Sequence, residues 1–301
     1  MRKSVFLISV LLFVSIMPAS NAGKPVTLEQ NGAVFGGLYL DANESGTTNS
    51  QLGDLPAIVE DYTATWCTNC LDVEEALYDV KDNNNMNVYH FHRFIGENED
   101  PLGSQVGDDR WIERYEHRLP PTAIFNGTIR QIGSVPDGES LQADYTNNLA
   151  NPLNLGNGIS ALTYETGVNG SSPTIAWHLE IDMSQFPNNS KIESSIWVVE
   201  KTAYFPDGGN GKQHYNQSVK TIITLGESLQ GMIDITLPDA YDENDLEIHL
   251  IHEVILPEPV EQDPEDTNSD SKDDESMPAI SAIAVISATM IAAFIVQRKL
   301  Q

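Results

Sequence analysis

The stretch AIVEDYTATWCTNCLDVEEALYDV, residues 57–80, decides the fold, because a strand pattern changes into a helix pattern within it. An apolar run at residues 56–62 predicts a strand that ends in a turn. From Cys67 to about Val80 the apolar residues recur at helical spacing, which predicts a helix. Cys67 and Cys70 are the two cysteines of the chain, and both lie at this strand-to-helix junction.

Two cysteines separated by two residues at the start of a helix have a specific chemistry. The free N–H groups and the dipole of a helix N-terminus favour the thiolate of Cys67. Cys70 can reach back to the same sulfur, so it can release Cys67 from a mixed disulfide with another thiol. A single pair cannot staple a small disulfide-rich scaffold, which favours a redox role for the two residues.

The segments that follow continue the alternation of strands and helices. The patterns predict a strand at residues 88–94, a helix at 108–115 and another strand at 122–125. An Asn-Gly pair at 126–127 is a hairpin turn signal, and residues 128–132 form the return strand. The order strand, helix, strand, helix, strand, strand predicts a mixed sheet with helices on its faces.

Three separated features of this region resemble the thioredoxin-like superfamily. They are the motif Trp66-Cys67-x-x-Cys70, Asp61 on the preceding strand, and Pro121-Thr122 before the next strand and its Asn-Gly turn. The resemblance covers roughly residues 50–145. It implies an α/β thioredoxin-like fold and a thiol–disulfide oxidoreductase activity.

The resemblance also implies a role for each residue. Cys67 is the attacking nucleophile and Cys70 the resolving thiol, so the two form a redox disulfide. Asp61 is the buried base that takes the proton of Cys70, because burial in an apolar site raises the pKa of a carboxyl group. The implied substrate-binding residues surround the cysteines: Trp66, Pro120, Pro121 in cis, and Thr122. The implied partners are thiols and disulfides of other proteins.

Three departures from the superfamily pattern bear on the substrates. Thr63 stands where an aromatic residue is usual, and the dipeptide between the cysteines is Thr68-Asn69. Pro120 precedes Pro121, and a proline has no N–H to donate to a substrate strand. These departures leave the substrate type and the direction of electron flow open.

The later part of the chain, residues 156–256, has a different pattern. A turn-rich junction at residues 150–158 precedes it. Short strand-like runs alternate with turn clusters, which predicts a β-sandwich of the immunoglobulin or fibronectin type. The predicted fold class is therefore an α/β thioredoxin-like domain, residues 23–150, followed by an all-β sandwich, residues 156–256.

The two ends of the chain predict export and membrane anchoring. Residues 1–22 have the basic start, apolar centre and small final residues of a secretory signal peptide. Residues 257–276 are acidic and predict a solvated stalk. The uncharged run at 277–296, with basic residues after it, predicts a transmembrane helix. The predicted localisation is a single-pass cell-membrane protein with an extracytoplasmic ectodomain, whose sequons permit glycosylation and whose electrons could come from a membrane redox partner.

The charge of the chain excludes one class of partner. Lys and Arg total 16 and Asp and Glu total 44, which gives a formal net charge of −28. A nucleic-acid-binding protein needs a basic face to displace counterions, so no nucleic acid is predicted as a partner. No phosphate-binding glycine loop is found in the sequence, and neither a cofactor nor a metal is predicted.

Alternatives are open for the cysteine pair and for His90. The pair can be a static disulfide, or half of a Cys2His2 zinc site completed by His90 and His92. His90 can be the polar partner of Asp61 on the adjacent strand, or a half-buried strand histidine without a task. For the whole chain, the alternative to an oxidoreductase is a cell-surface binding or adhesion protein that keeps a thioredoxin-like scaffold.

Overall fold

The structure is a computed structural model that describes residues 23–94, 100–116, 119–167 and 171–257. The strands of this part of the chain are β1 (Val26–Thr27), β2 (Val34–Asp41), β3 (Gly46–Gln51), β4 (Ala57–Thr63), β5 (Met86–His92), β6 (Thr122–Phe125), β7 (Ile129–Ile132), β8 (Gly158–Glu165), β9 (Thr174–Ile181), β10 (Lys191–Tyr204), β11 (His214–Gly226), β12 (Gln230–Asp234) and β13 (Leu246–Ile255). The α-helices are α1 (Cys70–Lys81), α2 (Gln105–Tyr115) and α3 (Leu141–Leu149).

The described strands form a nine-stranded sheet and a four-stranded sheet. The order of the larger sheet is β1-β7-β6-β4-β5-β11-β10-β13-β2, and that of the smaller sheet is β12-β9-β8-β3. Strands β4 and β5 are parallel and are connected through α1, while β6 is antiparallel to β4. Strand β5 also pairs in parallel with β11, where His90 lies opposite Ser218. The larger sheet therefore contains strands from both halves of the chain.

The predicted fold class, an α/β thioredoxin-like domain followed by an all-β sandwich, is wrong. The described chain is mostly β-sheet, and its α-helices have 12, 11 and 9 residues. Strands β2 and β3, from the range predicted as the α/β domain, pair with β13 and β8 from the range predicted as the sandwich. The physical reason is that a local apolar pattern predicts a strand without specifying its hydrogen-bonding partner.

Strand β10 belongs to the larger sheet, and both of its faces are buried. Trp197 and Val199 belong to an aromatic-rich core with side chains of β4, β5 and α2. Ile196 and Val198 belong to a second core with side chains of β8 and β9 in the smaller sheet. A nearly continuous apolar run, instead of alternation, is typical of a strand that is buried on both faces.

The alternation of side chains along β4 places one set of residues beneath α1. Ile58 and Tyr62 belong to the aromatic-rich core, whereas Val59 packs in a separate core with α1 and α3. Successive side chains of a strand point to opposite faces of the sheet. Asp61 therefore lies on the same face as Val59, beneath α1, and so does Thr63.

The helices differ in their bounds from the predicted ones. Helix α1 begins at Cys70 and not at Cys67, and α2 begins before residue 108. Helix α3 was not predicted from the sequence. Ser140 caps α3 with a side-chain oxygen that accepts a hydrogen bond from Ala143 N at 3.1 Å. Serine at this position provides a partner for a backbone N–H that the first turn leaves free.

The predicted membrane localisation is corrected by the helices of the structure. The longest α-helix among the described residues, α1, has 12 residues, and no described helix is long and apolar enough to cross a membrane. This finding goes against a single-pass cell-membrane protein. The predicted signal peptide, residues 1–22, and the predicted transmembrane helix, residues 277–296, lie outside the described residues, as does the predicted stalk beyond Pro257.

Candidate active site at the Cys67–Cys70 disulfide

The two cysteines form a disulfide between the end of β4 and the start of α1. Their Cα atoms are 5.4 Å apart. Cys70 is the first residue of α1, and Cys67 lies one turn before it. Of the two residues, Cys67 is 7% exposed and Cys70 is fully buried. Cys67 is therefore the cysteine that lies closer to solvent.

The loop before the disulfide is held by backbone hydrogen bonds. Cys67 N donates to Ala64 O at 3.0 Å, and Leu71 N donates to Thr68 O at 3.3 Å. The two bonds turn the chain between β4 and α1. Trp66 packs against this turn and against both cysteines.

The predicted substrate-binding prolines lie beside the end of β4. The Pro120–Pro121 peptide bond is cis, as the resemblance to the thioredoxin-like superfamily implied. Strand β6 is antiparallel to β4 with Thr122 opposite Tyr62, so Pro121 lies next to Thr63, four residues before Cys67. Pro120 is half-buried and Pro121 is buried.

Thr122 does not present its side chain to a substrate. The residue is fully buried, and its hydroxyl donates to Leu119 O at 2.7 Å. Its side chain therefore supports the loop that carries the two prolines. Leu119 is instead the exposed apolar side chain of this loop, with 61% of its surface accessible.

Asp61 is fully buried and binds His90. His90 Nδ1 lies 2.8 Å from Asp61 Oδ2, while Asp61 Oδ1 has no hydrogen-bond partner among the described residues. Burial raises the pKa of Asp61 and the charge of Glu74 adds to this effect, whereas the hydrogen bond to His90 opposes it; the net direction is upward. The structure thus shows His90 as the polar partner of Asp61, the first of the two readings left open by the sequence.

A second buried carboxylate, Glu74, lies one helical turn after Cys70 on α1. It accepts a hydrogen bond from Thr63 Oγ1 at 2.9 Å and forms a salt bridge with Lys212 Nζ. Burial raises the pKa of Glu74, but the charges of His90 and Lys212 outweigh burial and lower it overall. Glu74 and Lys212 were not identified from the sequence, since no local pattern relates residues separated by 138 positions.

A third buried acid, Asp100, fixes the loop that leads to Cys67. Its Oδ2 atom accepts hydrogen bonds from Thr65 N at 2.7 Å and from His92 Nδ1 at 3.0 Å. Its Oδ1 atom accepts from Leu102 N at 3.1 Å. Neither Asp100 nor the pairing of His92 with it was identified from the sequence.

The described residues do not form the Cys2His2 zinc site that the sequence left open. The two cysteines are joined to each other, and each of the two histidines binds its own carboxylate. Ligand atoms of Asp61, Glu74 and His90 do lie within 4.8 Å of one another. Lys212 already brings a positive charge to Glu74, and His90 already bridges to Asp61, so this group is occupied by its own ion pairs.

The loop at residues 205–213, between β10 and β11, covers the segment before Cys67. Asn210 N donates to Thr65 O at 3.0 Å. A Cβ atom added at Gly209 would lie 3.3 Å from Trp66 Cα, so the two backbones are in close approach. This loop belongs to the later half of the chain, and it also carries Lys212.

We expect Gly208→Ala to lower stability by about 1–3 kcal/mol, as overpacking of a well-packed site typically does. A Cβ atom at this position would clash with Tyr215 Oη and would lie 3.0 Å from Thr65 O. The measurement is the free energy of unfolding in denaturant. Gly53→Ala is the matched control, because a Cβ atom there has no neighbour within 4 Å. Equal losses of stability in both variants would show that the loop is not tightly packed against Thr65.

Comparison with known proteins yields structural similarity alone. No family model and no curated protein matches the chain. A structural-genomics target from Agrobacterium tumefaciens is similar with 17% identity and a TM-score of 0.36, over 66% of this chain and 78% of that one. HBP35 of Porphyromonas gingivalis is similar with 10% identity and a TM-score of 0.38, over 66% and 63% of the two chains. Both TM-scores are too low to indicate a function.

Proposed function

We propose that this protein is a thiol–disulfide oxidoreductase that acts on cysteines of other proteins through Cys67 and Cys70. The observation that carries the proposal is the unequal burial of the pair, with Cys67 7% exposed and Cys70 fully buried. An accessible thiolate can attack a substrate, while a shielded neighbour serves to release it. The motif resemblance to the thioredoxin-like superfamily supports the same activity.

The reaction with a substrate disulfide proceeds in two exchange steps. The Cys67 thiolate attacks one substrate sulfur, forms a mixed disulfide and displaces the other sulfur as a thiolate, which takes a proton from water. Cys70 gives its proton to Asp61 and attacks Cys67 Sγ, which breaks the mixed disulfide and releases the second substrate thiolate. Two electrons pass from the cysteine pair to the substrate, and the Cys67–Cys70 disulfide forms. The reverse sequence oxidises a substrate dithiol.

Asp61 is suited to accept the proton from Cys70. It lies beneath α1, whose first residue is Cys70, and its Oδ1 atom has no hydrogen-bond partner among the described residues. A charged carboxylate oxygen without a partner in a buried site is costly, and binding a proton removes the charge. Burial raises the pKa of Asp61 above that of an exposed carboxyl group, which favours transfer of a proton to it.

The proposed substrate-binding surface lies beside Cys67. Trp66 and Pro120 are half-buried there, and Leu119 is exposed two residues before the buried Pro121. An extended peptide with an apolar side chain next to its cysteine would bury Leu119. Pro120 donates no backbone hydrogen bond to such a peptide, so apolar contact contributes most of the binding.

We expect the cysteine pair to be reduced and reoxidised reversibly while the protein stays folded. The test equilibrates the protein with graded ratios of reduced and oxidised glutathione, then alkylates free thiols and counts them by mass. A potential near about −270 mV would mark a reductant, and one near about −120 mV an oxidant. A pair that reacts only when the protein is unfolded would contradict the proposal.

A second candidate function is a binding protein without turnover. The observation that favours it is that polar groups near the cysteines already form hydrogen bonds within the protein. Thr122 donates to Leu119 O, and the loop at 205–213 covers Thr65. In that case the disulfide is a static constraint. The glutathione equilibration separates the two functions, because a static disulfide would stay oxidised at every ratio at which the fold persists.

A further inference from the structure

The partner of Asp61 is itself held by a third side chain, which is half-buried. Tyr78 Oη lies 3.0 Å from His90 Nε2, and His90 Nδ1 lies 2.8 Å from Asp61 Oδ2. The three side chains form a continuous row, Tyr78, His90 and Asp61. His90 is 2% exposed and Asp61 is fully buried, so bulk water does not compete for the hydrogen bond between these two residues.

The fold brings the three residues together from separate elements. Asp61 on β4 lies directly opposite His90 on β5 in the parallel pairing. Tyr78 lies on α1 eight residues after Cys70, and Glu74 lies midway between them. Residues four apart share one face of a helix, so Cys70 and Tyr78 lie on the face of α1 that covers Asp61 and His90.

The chemistry of the groups sets the direction of the hydrogen bonds. An ionised carboxylate only accepts, so His90 Nδ1 must carry the proton that it shares with Asp61. When the imidazole is neutral, its other nitrogen only accepts, so Tyr78 Oη is then the donor across the 3.0 Å contact with Nε2. The two contacts together hold the orientation of the ring, and of the two Asp61 oxygens, Oδ2 is occupied and Oδ1 is not.

We propose that His90 is a positioning residue for proton transfer in the dithiol reaction: it occupies Oδ2 of Asp61, presents Oδ1 to the thiol of Cys70, and is itself oriented by Tyr78. This inference rests on the proposed function. The proton moves from Cys70 Sγ to Asp61 Oδ1, the thiolate that remains attacks Cys67 Sγ and releases the substrate thiolate, and His90 keeps its hydrogen bond to Oδ2 throughout. The acid–base group of the site is thus a row of three side chains and not a lone carboxylate.

Several charged or titratable groups face Asp61 from the surrounding elements. Glu74 and Tyr78 face it from α1, His92 from β5 and Tyr145 from α3. Lys212, in the loop at 205–213, neutralises Glu74. Burial and the charge of Glu74 raise the pKa of Asp61, and the hydrogen bond from His90 lowers it. Replacing His90 removes only the lowering contribution. The pKa of Asp61 is therefore expected to rise further in a His90 variant.

The experiment follows the release step in His90→Leu. The reduced protein reacts with dithiobis-nitrobenzoate, an aromatic disulfide that gives a coloured anion in two phases. Attack by Cys67 causes the first phase, and attack by Cys70 on the mixed disulfide causes the second. We expect the pH midpoint of the second phase to rise by about one unit or more. At a pH below the midpoint, a shift of one unit slows this phase about tenfold.

Two further variants separate positioning from packing. His90→Asn keeps an N–H donor near the place of Nδ1, so its pH midpoint is expected to lie close to that of the unaltered protein. His249→Leu is the matched control, because His249 is a buried histidine of the same sheet that binds Glu247 Oε2 at 3.1 Å and Tyr89 Oη at 3.0 Å. We expect His249→Leu to lose stability without moving the midpoint.

The outcomes discriminate between this inference and the proposed function. If the unaltered protein shows a normal second phase and the His90→Leu profile superimposes on it, the positioning role is overturned while the oxidoreductase stands. Equal shifts in His90→Leu and His249→Leu overturn it as well. If the unaltered protein shows no second phase, the proposed function fails first. If His90→Leu does not fold, Tyr78→Phe is compared with Tyr89→Phe. A shift of the pH midpoint in Tyr78→Phe alone supports the positioning role of His90, and equal midpoints in both variants overturn it.

Discussion

Replacing Cys70 by serine is expected to leave this protein covalently joined to its substrates. Cys67 is the more exposed cysteine and the proposed nucleophile, so it should still attack a substrate disulfide. Without a second thiol, the mixed disulfide has no intramolecular route of release. Mixed disulfides should accumulate when Cys70→Ser is expressed, appear as high-mass bands on a gel without reductant, and vanish when reductant is added.

Cys67→Ser is the matched control, because it also leaves one cysteine. Cys70 is fully buried and cannot meet a protein disulfide directly, so this variant should trap almost nothing. Equal trapping by both variants would mean that the two roles are misassigned. The absence of trapping in both, together with a pair that never cycles, would favour the binding protein. Mass spectrometry of the trapped bands identifies the substrates.

Replacing Asp61 by asparagine is expected to slow the release of mixed disulfides by a factor of about 100, the lower range for loss of a general base. The variant keeps the size of the side chain and removes the proton acceptor for Cys70. The first phase of the reaction with dithiobis-nitrobenzoate should be nearly unchanged, because attack by Cys67 does not use Asp61. The second phase should carry almost the whole effect.

A control for Asp61→Asn is Asp144→Asn. Asp144 is a buried carboxylate of α3 that accepts hydrogen bonds from Gln131 Nε2 at 2.9 Å and Asp137 N at 2.7 Å. Its loss should lower stability and leave both phases unchanged. Identical second-phase rates in the unaltered protein and Asp61→Asn would remove Asp61 from the mechanism, and equal slowing of both phases would assign the effect to a general disturbance of the site.

The parts of the site that follow from nearby residues could be predicted from the sequence. The strand before Cys67, the helix after Cys70 and the hairpin at 126–127 depend on apolar spacing and turn chemistry within a few residues. The cis bond at Pro121 and the burial of Asp61 were predicted from the motif resemblance, and the structure has both. The start of α1 was misplaced by one turn, because the helix period does not mark where a cap lies.

The parts that depend on distant pairing could not be predicted. The parallel alignment of β5 with β11 joins segments more than 100 residues apart, and nothing in either segment specifies the other. The contact of His90 with Asp61 depends on the register of β4 against β5. For this reason two interpretations of His90 remained open from the sequence. The salt bridge of Lys212 to Glu74 is a further contact of this kind.

The pairing of β11 with β5 also determines the dielectric environment of the site. Without β11, β5 would be a sheet edge whose backbone at His90 meets water. Two unit charges at about 4 Å interact roughly four times more strongly at the effective dielectric constant of a protein surface than in bulk water. The acidity of Asp61 is therefore tied to the pairing of strands in the nine-stranded sheet, and changes in β10 or β11, far along the chain from the cysteines, are expected to alter the pH range of the proposed dithiol reaction.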